Sequence, residues 1–229
     1  RTLESERAWG DRIIDWTRNN RHKHAFDELA DFPLQSNSGS ELVDFMFRVC
    51  PSGWFDLEKL NYNRMFEELV MTGFDPQKRR IDPAVCASNQ QRLEESFSSL
   101  HGLISNHAVF ARLLIPALTR VTQRFALGQC NVDQAVIACA LERYRLVEGH
   151  YPDALDSLVP RFMASLPRDV ITGDPLKYRR TGDEQFLLYS VGWNGKDDGG
   201  TIVPVKGSRS ESQDITQGDW VWRFPNTQP

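Results

Sequence analysis

The sequence has no run of about 18 apolar residues of the kind a membrane-spanning helix needs. Its most apolar stretch, Ala108 to Leu118, is interrupted by Arg112 and carries Pro116, so it reads as a buried, kinked helix. HExxH, G-x-S-x-G, phosphate-loop and dinucleotide fingerprints are all missing. Histidine is scarce, with five in the chain. His101 and His107 would face different sides of a helix and make no metal pair. There is no CxxC among Cys50, Cys86, Cys130 and Cys139, which leaves a zinc ribbon or a thioredoxin-like centre unsupported. These cysteines read as small buried apolar residues. Cys130 and Cys139 fall roughly 13 Å apart along one helix, too far to bridge, whereas Cys50 with Cys86 is geometrically open. An excess of positive charge is lacking as well. With 27 Lys and Arg against 31 Asp and Glu, the net charge is -4, which gives no general reason to bind nucleic acid.

What is present is a change of texture near residue 150. Before it the pattern is helical. Ser5 to Asn19 places Trp9, Ile13 and Trp16 on one face, and Ser40 to Val49 forms a second helix with Ser40 able to cap it. Pro51-Ser52-Gly53 breaks the chain, Gly53-Trp54-Phe55 anchors into a helical core, and Asp56 to Met71 resumes. Asp75-Pro76 and Asp82-Pro83 punctuate the next connection. Ala84 to His107 and Val109 to Leu127 are longer helices. Asn131 to Glu148 is the clearest one, with Val132, Val136, Cys139, Ala140, Arg143 and Val147 at helical spacing and Gly149 as the stop.

After Tyr151-Pro152 the chain reads as turns and short strands. Leu176 to Arg180 and Gln185 to Val191 flank Thr181-Gly182-Asp183-Glu184, a hairpin composition. Gly207 to Gly218 reads as a polar loop. Asp219 to Phe224 alternates as a third strand, with Trp220, Trp222 and Phe224 on the core side. The class expected is α+β: an all-helical segment over 1–125, then a unit over 126–229 in which a long helix packs on a small antiparallel sheet.

No residue constellation points to catalysis, and the chain is expected not to be an enzyme. Glu67 with Glu68, and Glu94 with Glu95, diverge by roughly 100° on a helix and read as polar faces. The basic run from Arg18 to His24 reads as a solvated helix end. Trp193, Trp220 and Trp222 could stack a sugar or peptide, but their spacing favours core.

Ala140-Leu141-Glu142-Arg143-Tyr144-Arg145 followed by Gly149-His150-Tyr151-Pro152 resembles the junction of helix and head in the major pseudopilins of type II secretion. Leu166-Pro167-Arg168-Asp169, Gly173-Asp174-Pro175-Leu176-Lys177-Tyr178 and Phe186-Leu187-Leu188-Tyr189-Ser190-Val191-Gly192 follow in an order and spacing similar to that family's. The resemblance covers residues from about 125 to 224, under half of the chain. It implies a pseudopilin-like head, an extracytoplasmic (periplasmic) setting, and a structural or assembly role rather than catalysis. It also implies calcium at the loop after the hairpin. Asn194, Asp198 and Asp214 would serve as ligands with Asp197 beside them, Asn194 standing where the family usually has aspartate.

A start at Arg1 leads to the expectation that a leader or membrane anchor precedes it, and that any membrane contact runs through that segment. More than a hundred residues intervene before the matching helix, so a monomer or small oligomer is expected rather than a filament subunit. Protein partners would engage the helical segment. The alternative reading is a periplasmic glycan- or peptide-binding module on a pilin-like scaffold.

Overall fold

A computed structural model describes residues 2–20, 47–96, 107–182, 184–205 and 213–224. The described helices are α1 (Thr2–Asn20), α2 (Ser52–Leu69), α3 (Pro83–Ser96) and α4 (Val109–Glu148), with short 3-10 turns at Met71–Gly73 and Leu155–Leu158. The strands are β1 (Phe74–Asp75), β2 (Arg80–Ile81), β3 (Lys177–Gly182), β4 (Gln185–Ser190), β5 (Ile202–Pro204), β6 (Gln213–Gly218) and β7 (Trp220–Phe224). The class is α+β. Most of the expected Ser40 to Val49 helix lies outside the described residues, as do His22, His24 and His101. Residues 47–49 are helical. None of the described helices is long and apolar enough to cross a membrane.

Contacts divide the chain into two units: residues 1–72 with 86–120, and residues 73–85 with 121–229. The sequence reading cuts the chain once, at 125/126. The contact division instead takes 73–85 into the second unit and assigns α4 to the first up to Arg120 and to the second from Val121.

The first unit is built on an antiparallel pair, α1 and α2. Arg18 meets Asp56 at 2.8 Å, Lys59 meets Asp15 at 2.7 Å, Asn63 donates to Asp11 at 2.6 Å, and Arg7 pairs with Glu67. The buried line of α1 is Gly10, Ile14 and Thr17. It lies one residue along from the expected face, and Trp9 is 41% exposed. Two facts explain the rotation. A Cβ on Gly10 would sit 2.2 Å from the Tyr62 hydroxyl, so only glycine permits this helix approach. Thr17 is buried without a penalty because its hydroxyl donates to the Ile13 carbonyl at 2.9 Å. The core is aromatic, with Phe47, Trp54, Phe55, Tyr62, Phe66 and Phe110 packed around Ile14. Phe47 and Phe110 stack with centroids 5.4 Å apart. Asn89 of α3 donates to the Leu69 carbonyl at 3.0 Å and so satisfies the C-terminal end of α2.

In the second unit β1 and β2 form a small hairpin whose base is bonded to a loop far along the chain. Ile81 donates its amide to the Val170 carbonyl at 2.7 Å, and Arg80 Nε reaches the Ile171 carbonyl at 2.9 Å. Two helices expected over Val109 to Leu127 and Asn131 to Glu148 are one, because nothing at 128–130 breaks the backbone ladder, which also continues past Pro116. From Val121 onward, α4 turns Ala126, Cys130, Asp133, Gln134, Ile137 and Leu141 inward. Gln134 is buried and donates to the Trp220 carbonyl at 2.7 Å, which ties the helix to β7. Of the apolar positions singled out in the sequence, Ala140 is buried and the others point outward: Val132 is 58% exposed, Val136 48% and Val147 55%, and Cys139 is exposed.

Gly149 closes α4 with φ 82° and its amide on the Arg145 carbonyl at 2.8 Å. Tyr151 then enters the core, its ring edge-on to Phe186 at 5.0 Å and its hydroxyl on Glu142. Arg143 donates to the Phe162 carbonyl and Tyr178 to the Pro152 carbonyl, fixing the loop between helix and sheet. That sheet has the order β3-β4-β7, antiparallel throughout, with Leu188 paired to Tyr178 on one side and Trp222 on the other. Gln213 to Gly218, part of the expected polar loop, is a strand paired with β5. All four cysteines are thiols, and burial pushes that of Cys130 up to about 12.

Candidate functional site

The residues nominated for calcium lie on the loop after β4 and on β6. Asp219 organises this loop. It is fully buried, and its carboxylate accepts the backbone N–H groups of Asp198 (3.3 Å), Gly200 (2.6 Å) and Thr201 (3.2 Å). A buried carboxylate is tolerable only when its lone pairs are met in this way. Close packing reinforces the path, since a Cβ on Gly200 would fall 2.5 Å from the Leu187 side chain. Asp219 carried no sequence signal as an anchor, because one aspartate after Gly218 reads as an ordinary turn.

Two of the four nominated residues meet: Asn194 Nδ2 donates to Asp198 Oδ2 at 2.9 Å. Asp197 is engaged on the sheet side. Its Oδ1 accepts the Gly199 N–H at 3.1 Å and the Tyr189 hydroxyl at 3.0 Å, and Lys177 Nζ stands 3.6 Å from Oδ2. These donors and the lysine charge hold the Asp197 carboxyl below the usual carboxylate range. Asp214 bonds within its own strand, accepting from the Thr216 hydroxyl at 2.6 Å and the Thr216 N–H at 2.9 Å, which also lowers it. The donor chemistry, carboxylate and amide oxygen, is of the type calcium takes. Among the described residues, however, no three His, Cys, Asp or Glu side chains come together to hold a metal.

The second unit also contains a cleft of about 660 Å³, whose lining includes Lys78, Arg79, Asp133, Asp156, Ser165 and Arg168. Lys78 and Arg79 come from the tip of the β1–β2 hairpin, where Asp75 Oδ1 accepts the N–H groups of Gln77 and Lys78. Asp133 at its wall accepts from Gln129 at 3.1 Å and lies 3.8 Å from Arg79. Neither histidine nor cysteine lines it. The cleft offers mixed charge.

The tryptophans nominated as a stacking platform are largely internal. Trp220 is 1% exposed and Trp193 9%, and the Trp220 indole N–H donates to the Ile215 carbonyl at 3.1 Å. Glu67 and Glu68 are engaged separately, by Arg7 and Arg64.

In the first unit the structure reveals a titratable group that the sequence reading passed over. Glu58 is fully buried, and its two carboxylate oxygens accept the N–H groups of Val109 (3.2 Å) and Phe110 (3.0 Å) at the start of α4. Burial pushes its carboxyl up to about 7, against the opposing pull of these two N–H donors. Its only sequence signal is a charge at an inward position of α2, between Phe55 and Tyr62.

Compared with family models, with curated proteins and with solved structures, the chain finds no match in any of the three.

Proposed function

We propose that this chain is an extracytoplasmic structural or assembly protein whose second unit is a pseudopilin-like head, membrane-tethered in its full-length form. The observation that carries the reading is the bond from Gln134 on α4 to the Trp220 carbonyl on β7. It belongs to one connected arrangement: a helix stopped at Gly149, Tyr151 packed on Phe186, and a β3-β4-β7 sheet over the helix. The chain order of helix, Tyr-Pro, loop, hairpin, acidic loop and tryptophan strand is similar to that of the pseudopilin head.

Burial of Trp193 and Trp220 favours this reading over a glycan- or peptide-binding module, which would need their faces open. Calcium at Asn194, Asp198 and Asp214, with Asp197 beside them, belongs to the same proposal. Calorimetry of chelator-treated protein decides it: binding heat and a raised melting temperature support calcium, and neither being present removes it. Compartment tests the main proposal. With full-length protein in its own cells, protease added after the outer envelope is opened should degrade it while a cytoplasmic marker survives. Protection until the inner membrane is lysed would overturn the reading.

A further inference from the structure

The outward face of α4 within the second unit is largely apolar, interrupted by Arg143 and, at its margin, Gln129. Phe125 is 42% exposed, Val132 58%, Val136 48%, Leu146 75% and Val147 55%, with Gly128, Ala135 and Cys139 on the same face. At 100° per residue these positions fall within one stripe about 120° wide and about 33 Å long. Arg143 is the one charged residue inside the stripe, and one of its guanidinium nitrogens is held on the Phe162 carbonyl at 2.8 Å. The opposite face is already used, by Ile137, Leu141 and Gln134 against the interior. A helix with one apolar side in the core carries a second one in solvent. An exposed apolar patch of several hundred Å² is as large as a monomer ordinarily carries, and such patches are often functional.

We infer that this face binds a second copy of the same chain, with the two α4 helices antiparallel about a two-fold axis between Ala135 and Val136. The stripe is complementary to its own reversal. In that register Phe125 meets the partner's Leu146, Val132 meets the partner's Cys139, and Ala135 meets the partner's Val136. Arg143 lies over the partner's Gly128, where no side chain obstructs it. Each of these contacts occurs twice, as a two-fold interface requires. The orientation follows from charge: parallel helices in register would set Arg143 against its own copy in the middle of an apolar contact, whereas the antiparallel pair separates the two. Gly128, Ala135 and Cys139 let the helix axes approach closely.

Two such faces bury roughly 1,000 Å² in total, below the range of stable specific interfaces, so the dimer is transient.

Sedimentation of the 229-residue chain over a concentration series tests this. The wild type should move from monomer toward dimer as concentration rises. Val136→Arg, which places a cation beside its own copy at the two-fold axis, should weaken association at least ten-fold. Position 136 is half in solvent, so its circular dichroism and melting should match the wild type. Leu146→Glu at the stripe's end serves as a second variant should the first fail to fold. Orientation is read from disulfides under mild oxidation. Val132→Cys should crosslink to the partner's Cys139, while wild-type Cys139 should not join the partner's Cys139, about 10 Å away along the axis.

A monomer at every concentration, undiminished association in both variants, or a Cys139-to-Cys139 crosslink in the wild type would overturn the inference. It goes beyond the proposed function and stands apart from it. A monomeric protein outside the cytoplasm would sink the dimer alone, and a cytoplasmic dimer would sink the compartment alone.

Discussion

The two units keep buried carboxylates for different purposes. In the first, Glu58 sits in an aromatic core and meets two N–H groups at the start of a helix, and its desolvation outweighs their pull. In the second, Asp219 meets three N–H groups of a loop, and Asp169, also buried, accepts from Ile171 at 2.8 Å and from Val191 at 3.3 Å. The first unit therefore has a helix-terminal carboxyl whose contribution to stability changes with pH near neutrality. The second uses buried carboxylates as fixed cross-ties for backbone that no ladder satisfies. A helical core can tolerate a marginal polar group because packing holds it, whereas a small sheet with long loops cannot.

The largest effect expected from breaking this comparison is at Asp219. Asp219→Ala removes the acceptor for three buried or half-buried N–H groups and should destabilise the second unit by about 3–5 kcal/mol. Denaturant unfolding followed by tryptophan fluorescence reads the loss. A change below about 1 kcal/mol would show that the loop is held by other means.

Next comes the proton on Glu58. Its folded pKa lies above its unfolded value, so the folded state binds the proton more tightly and its contribution is complete below about pH 4.5. That contribution is lost as pH rises through about 7, amounting to about 3 kcal/mol across the window. Glu58→Gln, which keeps an acceptor without a charge, should flatten this part of the stability profile between pH 5 and 8.

A smaller loss is expected at Gly10. Gly10→Ala drives a methyl group into the Tyr62 ring and should cost about 1–3 kcal/mol in the first unit, read as a lower denaturant midpoint. The smallest effect belongs to the outer ladder. Lys59→Ala removes a half-exposed pair with Asp15 and should cost about 0.5 kcal/mol, which places the unit's stability in its aromatic core.

Much of this architecture was legible in the sequence. Helical spacing marked α1, α2 and the end of α4, Gly149 marked a stop, and the composition at 181–184 marked the β3–β4 hairpin. Which helix face turns inward was not legible. In α1 and α4 the buried line includes Thr17, Asp133 and Gln134, polar residues whose partners are set by folding, while Trp9, Val132 and Val136 stay outside. Periodicity finds an apolar stripe, but a helix with two of them needs tertiary contacts to choose between them. The acidic loop was visible as composition. Its anchor at Asp219 was not, since three amides converge on that side chain only once the loop has closed. The hairpin at 74–81 was hidden for a similar reason: its two-residue strands have too short a period to read, and its base bonds to Val170 and Ile171.

The most direct measurement of the contrast between the units is amide hydrogen exchange from pH 5 to 8, corrected for intrinsic rates and read by peptide. Protection over 52–69 and 108–115 should fall as pH rises, while 126–141 and 185–191 change less, and Glu58→Gln should remove the difference. Equal loss in both sets of peptides, or a difference that survives Glu58→Gln, would contradict the account.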